Sequence, residues 1–230
     1  MMRFLLLPLF FLAACALAQT SPLNDTGQTQ CFQAGTPALG PCTQANAGDA
    51  GGHPRQDGRF GRDAQAGAGA LTKVGAGAGG FDFTKIANNG SELPVSATLG
   101  SGPTDWACTR DNVTGLIWEV KTPANANATF RFDQASVLHA DAINDDQLCD
   151  FNDWRVPTRR ELLSIFHDGA TSSPQIDTTF FPNTQNYFYW SSDILAPSPS
   201  NAWIVSFVNG NSNASSQPNL YHVRLVRNGQ

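Results

Sequence analysis

Ser164 and His167 stand three residues apart, the spacing that puts two side chains on one face of a helix. A serine beside a base could serve as the activated nucleophile of a hydrolase; the other hydrolytic route needs two carboxylates at a fixed separation. No nucleophile-elbow glycines surround Ser164, and a histidine near a helix C-terminus is accounted for by the macrodipole. The pair reads as surface, and no catalytic residue is assigned. Asp141, Asn144, Asp145, Asp146, Asp150, Asn152 and Asp153 offer oxygens of the kind calcium takes. They lack the alternate-residue spacing and central glycine of a calcium loop, so the run reads as a solvated helix end, with Asp153 bonding the backbone of its own turn. His53, His139, His167 and His222 are far apart and there is no C-x-x-C. No metal or cofactor is expected.

The cysteines point to structure rather than reactivity. Cys31, Cys42, Cys108 and Cys149 allow three pairings, of which proximity favours Cys31–Cys42 and Cys108–Cys149. The second would close a loop of about 40 residues, worth roughly 4 kcal/mol by chain entropy. Aromatic side chains offer a different chemistry, because sugar rings stack on Trp and Tyr faces while amides read hydroxyls. Tyr187, Tyr189 and Trp203, with Asn209 and Asn211, form the candidate ligand-binding set; Asn183, Asn186 and Asn213 lie close by in sequence. Alternation along Tyr187–Trp190 turns one pair of these inward, and Trp118, Trp154 and Trp190 are assigned to the core.

The elements that must position these residues divide into two regions. The chain has 230 residues and net charge −5, with three lysines (Lys73, Lys85, Lys121). That balance excludes a nucleic-acid-binding face. Sixteen of the 21 glycines precede residue 101, whereas all five tryptophans follow residue 105. Residues 1–18 read as an export signal: Arg3, the apolar run Phe4–Leu12, then small residues, too short to span a bilayer. Cleavage before Cys15 would make Cys15 a lipidated N-terminus and the only membrane anchor; cleavage before Gln19 would free the product. Residues 19–104 read as an irregular Gly/Ala-rich region. Within it Ala66–Gly80 cannot form a core, Phe81 and Phe83 dock as anchors, and Arg55, Asp57, Arg59, Arg62 and Asp63 form a polar loop with internal ion pairs.

Residues 105–228 carry regular patterning. Trp106–Arg110 and Leu116–Lys121 flank a turn-rich loop and predict a hairpin, with Leu116, Trp118 and Val120 on its apolar face. Phe132 to about Asn144 predicts a helix capped by Asp133, with Ala135, Leu138 and Ala142 as its buried stripe. Thr158 and Glu161 form a capping box opening a helix through Phe166, stopped by Gly169. Tyr187–Ser192, Ala202–Val208 and Tyr221–Val226 predict strands, the last two joined through a turn at Asn209-Gly210. Two helices and short antiparallel strands make an α+β class.

Three segments carry a family resemblance: Cys108-Thr109-Arg110-Asp111-Asn112-Val113-Thr114-Gly115-Leu116-Ile117-Trp118-Glu119-Val120-Lys121, Asp153-Trp154-Arg155-Val156-Pro157-Thr158 with Glu161-Leu162, and Tyr189-Trp190-Ser191-Ser192. In that order, over about 105–227, they resemble the Lcl C-terminal domain family. The second is also similar to a segment of formylglycine-generating-enzyme-like proteins. The resemblance implies a C-type-lectin-like fold and a place in the bacterial cell envelope, as an outer-membrane lipoprotein or a periplasmic or secreted protein. The family's name-giving member is a collagen-like adhesin that binds sulfated polysaccharides. Here there is no G-X-Y repeat, and only Arg155, Arg159, Arg160, Arg224 and Arg227 form a reasonably dense basic set. The expected function is a non-enzymatic recognition or adhesion protein with a glycan or cell-envelope partner. The alternatives are a structural envelope protein without a glycan site and, behind it, an enzyme of the formylglycine-generating type.

Overall fold

The computed structural model describes residues 24–33, 38–42 and 56–229. The export signal, Cys15 and Gln19 lie outside the described residues. No helix among those described is long and apolar enough to cross a membrane. The chain begins with a small hairpin, β1 (Gln30–Phe32) and β2 (Leu39–Pro41), followed by two short helices, α1 (Asp57–Phe60) and α2 (Arg62–Gly67). Asp57, Arg59, Arg62 and Asp63 are therefore helical rather than in the expected polar loop, and Arg55 lies outside the described residues. Cys31 is bonded to Cys42, and Cys108 to Cys149.

A five-stranded antiparallel sheet in the order β10-β6-β5-β3-β4 forms the centre. Its strands are β3 (Phe83–Ala87), β4 (Glu92–Leu93), β5 (Trp106–Asp111), β6 (Leu116–Glu119) and β10 (Val226–Asn228). The expected β5–β6 hairpin forms, and its turn is built by Asp111. One oxygen of that carboxylate accepts from the Val113 N–H (2.9 Å), the other from the Thr114 hydroxyl (2.6 Å), and Gly115 closes the turn at φ +77°. β3 pairs with β5 along Phe83–Ala87, so the sheet draws a strand from the Gly-rich region and the globular body starts well before residue 105. All five β3 residues are buried. With both faces covered there is no alternation for a sequence pattern to reveal.

The second sheet runs β7 (Phe188–Ile194), β8 (Asn201–Ser206), β9 (Ser212–Ser216). β9 reads SNASS, a composition without strand preference, and it was not anticipated. The Asn209-Gly210 turn therefore joins β8 to β9 rather than to the final strand. Tyr221–Val226 contributes single bridges, Phe130 to Tyr221 and Tyr189 to His222, before β10 begins.

Two apolar clusters result. One gathers Trp154, Trp190, Ile117, Leu225 and the Cys108–Cys149 disulfide; the other gathers Phe81, Phe83, Trp118, Phe180, Phe181, Tyr189 and Phe207. The tryptophans assigned to the core are there, and Phe81 stacks on Phe83 at 5.5 Å as the docking expectation required. Ile117 and Trp118, adjacent on β6, serve opposite clusters. The supposed polar face of β6 is also closed, with Glu119 and Lys121 buried.

The helical segment from residue 132 to 145 is composite. α3 (Phe132–Gln134) passes through a π-helical stretch (Ala135–Ala140) into α4 (Asp141–Asp145). Arg131, not Asp133, holds the cap position: its N–H donates to the Gln134 side chain (3.1 Å) and its guanidinium pairs with Asp133. The widened turn changes the buried face. Ala135, His139 and Ala140 point inward, while Leu138 is 56% exposed and Ala142 is exposed. The last helix, α5 (Arg159–Ser164), carries the expected capping box of Thr158 with Glu161 but ends at Ile165, short of Phe166 and of Gly169.

Candidate functional site

The local chemistry of α5 creates one wall of a cleft. The Glu161 carboxylate accepts from the Thr158 N–H (2.7 Å) and takes the Arg155 guanidinium bidentately (2.8 and 2.6 Å). Desolvation would raise the Glu161 carboxyl, but the Arg155 and Thr158 hydrogen bonds outweigh it and hold the pKa below the usual carboxylate value. With its N-terminus fixed, the outer face of α5 presents Arg160, Leu163 and Ser164. The opposite wall is the segment from Asn24 to Gln28. Asn24 straps it down, its amide donating both to Asp111 (2.7 Å) and to the Ser164 carbonyl (2.9 Å), and Gln28 donates to Asp168 (3.0 Å). The β5–β6 turn (Thr114, Leu116), the β8–β9 turn (Asn209, Gly210) and Asn228 complete the lining. Gly210, at φ +70°, lets its turn approach Phe166, whose ring would meet a Cβ there at 2.7 Å.

The cleft encloses about 890 Å³ and bottoms on Leu116, Leu163 and Phe166. The size suits a small-molecule or oligomeric ligand. Its polar lining is dominated by amides, hydroxyls and carboxylates, and Arg160 is the one cation among the lining residues, against Asp25, Asp57, Glu161 and Asp168. No histidine or cysteine lines it. The Ser164 hydroxyl donates to the Glu161 carbonyl (2.7 Å), so it is engaged with its own helix. His167 lies instead against the Phe81 ring (5.4 Å), where burial lowers its pKa.

The candidate aromatic set is not brought together. Tyr189 is 0% exposed, a core residue whose hydroxyl accepts the Gln185 N–H (2.7 Å), and it is withdrawn as a ligand residue. Trp203 is half-buried under the Arg159 guanidinium at 4.2 Å, a cation–π contact. Tyr187, 50% exposed, belongs to another neighbourhood with Phe188, Tyr221 and His222. Asn209 lines the cleft and Asn211 is exposed on the following strand connection. The basic set is likewise dispersed: Arg224 is buried, Arg227 is buried against Phe151 and Asp153, and Arg155 is held by Glu161. Asp153 thus bonds Arg227 (2.6 Å) rather than its own turn, and Asn144 brackets the Trp154 backbone (2.7 and 2.9 Å).

Sequence pattern alone missed the Asn24–Gln28 wall, which has no periodicity and acts through folding back across more than a hundred residues. It also missed a buried polar centre. Lys121 Nζ donates to Glu119 (2.7 Å), His139 Nε2 lies 3.1 Å from both Glu119 oxygens, and Arg224 donates to the Glu119 carbonyl (2.7 Å). The π-helical turn delivers His139 to this centre, with the Phe130 ring stacked on it at 4.9 Å.

Fold and site together define a disulfide-bonded α+β domain with a cleft beside α5. Residues 107–227 match the Lcl C-terminal domain, and the chain belongs to that family. No curated protein matches the chain.

Proposed function

We propose that this protein is an exported, non-enzymatic recognition module of the cell envelope, and that the cleft beside α5 binds a neutral, polyhydroxylated ligand of the glycan class. The observation that carries the reading is the lining itself. Amide and hydroxyl groups from five chain segments are set into a lining that is mostly apolar by area, a combination that reads sugar hydroxyls while covering a ring face. With Glu161 paired to Arg155, Asp25, Asp57 and Asp168 still outnumber Arg160, so a sulfated polysaccharide would meet repulsion there. Export is supported by the two disulfides, which persist in oxidising compartments, and by the N-terminal apolar run. Against the enzymatic alternative, every described cysteine is in a disulfide, leaving no thiol among the described residues for formylglycine-type oxidation.

A glycan array probed at low and high salt tests the ligand class. Binding to neutral glycans that changes little between about 0.05 and 0.5 M NaCl is expected, because surface charge pairs are screened over that range and hydroxyl recognition is not. Binding confined to sulfated glycans and lost in salt would overturn the reading. Absence of binding to any glycan would favour the structural envelope alternative.

A further inference from the structure

Asp25, Asp57 and Asp63 come from three separate segments and converge beside the cleft, which the first two line, each offering a carboxylate oxygen within 4.8 Å of the others. Asp25 and Asp63 are 6% and 4% exposed. A single backbone N–H, that of Gly80, donates to both of them, at 2.9 Å to Asp25 and 2.7 Å to Asp63. The second Asp63 oxygen, Oδ2, is buried without a hydrogen-bond partner. A buried, ionised, unpartnered oxygen is costly, and a neighbouring carboxylate makes it more so.

Two nearby cations direct their hydrogen bonds to backbone carbonyls instead. Arg62 donates its Nε to the Gly80 carbonyl (2.8 Å), and Lys73 donates to the carbonyls of Gly77 (2.7 Å) and Gly79 (2.6 Å). Burial, a side-chain hydrogen bond with Asp63 and the Asp63 charge push the Asp25 carboxyl up to about 6. One shared proton would remove one of the pair's two negative charges and none from Asp57, which is only half-buried and accepts from the Thr26 hydroxyl. The backbone has been cleared to let these oxygens in. A Cβ on Gly79 would lie 1.9 Å from an Asp63 oxygen, and one on Gly80 2.3 Å from an Asp25 oxygen.

We propose that Asp25, Asp57 and Asp63 bind a divalent cation of the hard, oxygen-seeking class, Ca²⁺, clamping the Asn24–Gln28 wall of the cleft to α1, α2 and the Gly79-Gly80 turn. Three carboxylates meet the ligand type of that ion, and because Asp25 and Asp57 also line the cleft, water can reach the remaining positions. The clamp can hold whether or not a glycan binds, although a bound cation would offset the charge of Asp25 and Asp57 on which the exclusion of sulfated glycans partly rests.

The test uses the full exported chain, stripped with a chelator and dialysed, titrated calorimetrically with CaCl₂ alone and melted with and without it. One Ca²⁺ per chain is expected, in the 10⁻⁴–10⁻³ M range typical of extracellular modules. The melting midpoint should rise by about 5 °C or more when Ca²⁺ exceeds its dissociation constant a hundredfold. Asp57→Asn, at the half-buried member, should weaken binding at least tenfold while still folding; Asp63→Asn should abolish it. Asp141→Asn, on an exposed helix position, should leave it unchanged. No calcium heat in the wild type, an equal midpoint shift from NaCl at matched ionic strength, or unaltered binding in Asp57→Asn would overturn the proposal. A buried proton shared by Asp25 and Asp63 would then account for the pair.

Discussion

Glu119 sits where four groups need an anion. Its side chain takes Lys121, His139 and the Leu225 N–H (3.0 Å), and its carbonyl takes Arg224. Burial alone would raise its pKa, but the Lys121 ammonium and the His139 contacts more than offset that and hold the carboxyl well below the usual range. A folded pKa below the unfolded value near 4.3 means the unfolded chain takes up the proton first. The stabilisation is therefore present above about pH 4.3 and fades as pH falls through the folded value. Glu119→Gln should cost about 3–5 kcal/mol at pH 7, because it leaves Lys121 buried without its counter-charge. Urea unfolding of both proteins from pH 7 to 3 checks this. The gap between them should narrow below about pH 4; a gap that stays constant would show that packing, not charge, holds this centre. Nothing at the residue level of the sequence marked it, since Glu119 and Lys121 occupy alternating positions that read as a solvated strand face.

At the scale of elements, the legible features were those with a local cause. The Thr158–Glu161 capping box and the turn of the β5–β6 hairpin are each decided by residues within a few positions, and each stands where the sequence put it. The face of the helix from residue 132 was not legible, because a π-helical turn follows from what the helix packs against. A regular 3.6-residue period buries Ala135, Leu138 and Ala142; the widened turn buries Ala135, His139 and Ala140 and pushes Leu138 into solvent. Substitutions separate the two arrangements. Leu138→Lys should change stability by no more than about 0.5 kcal/mol, as an exposed position allows. Ala140→Leu should cost about 1–3 kcal/mol by overpacking the cluster around Trp190. Thermal melts giving the opposite ranking would restore the regular face.

On the scale of the whole molecule, the contrast between a glycine-rich front and a tryptophan-rich back does not mark two bodies. β3 is hydrogen-bonded into the central sheet, Phe81 and Phe83 belong to the second apolar cluster, and Asn24 ties the front to both Asp111 and α5. The glycines of that segment admit backbone close to buried carboxylates and strands; at Gly75 a Cβ would lie 2.0 Å from the Phe83 carbonyl. Composition could locate that segment but not its destination, because the contacts that settle it span 55 residues from Asp25 to Gly80 and 140 from Asn24 to Ser164. The same fold-back moved the candidate binding surface. Of the five side chains chosen from sequence, Asn209 alone lines the cleft, while Tyr189 is core and Trp203 is capped by Arg159. The central claim is that recognition lives in this cleft. Its most direct test is the affinity of the best array glycan for the wild type, Asn209→Ala, Leu163→Glu and Trp203→Ala, measured by calorimetry on folded protein. A loss of tenfold or more in both cleft variants, with Trp203→Ala within about twofold of wild type, is the predicted result. Full affinity in both cleft variants with binding lost in Trp203→Ala would contradict it.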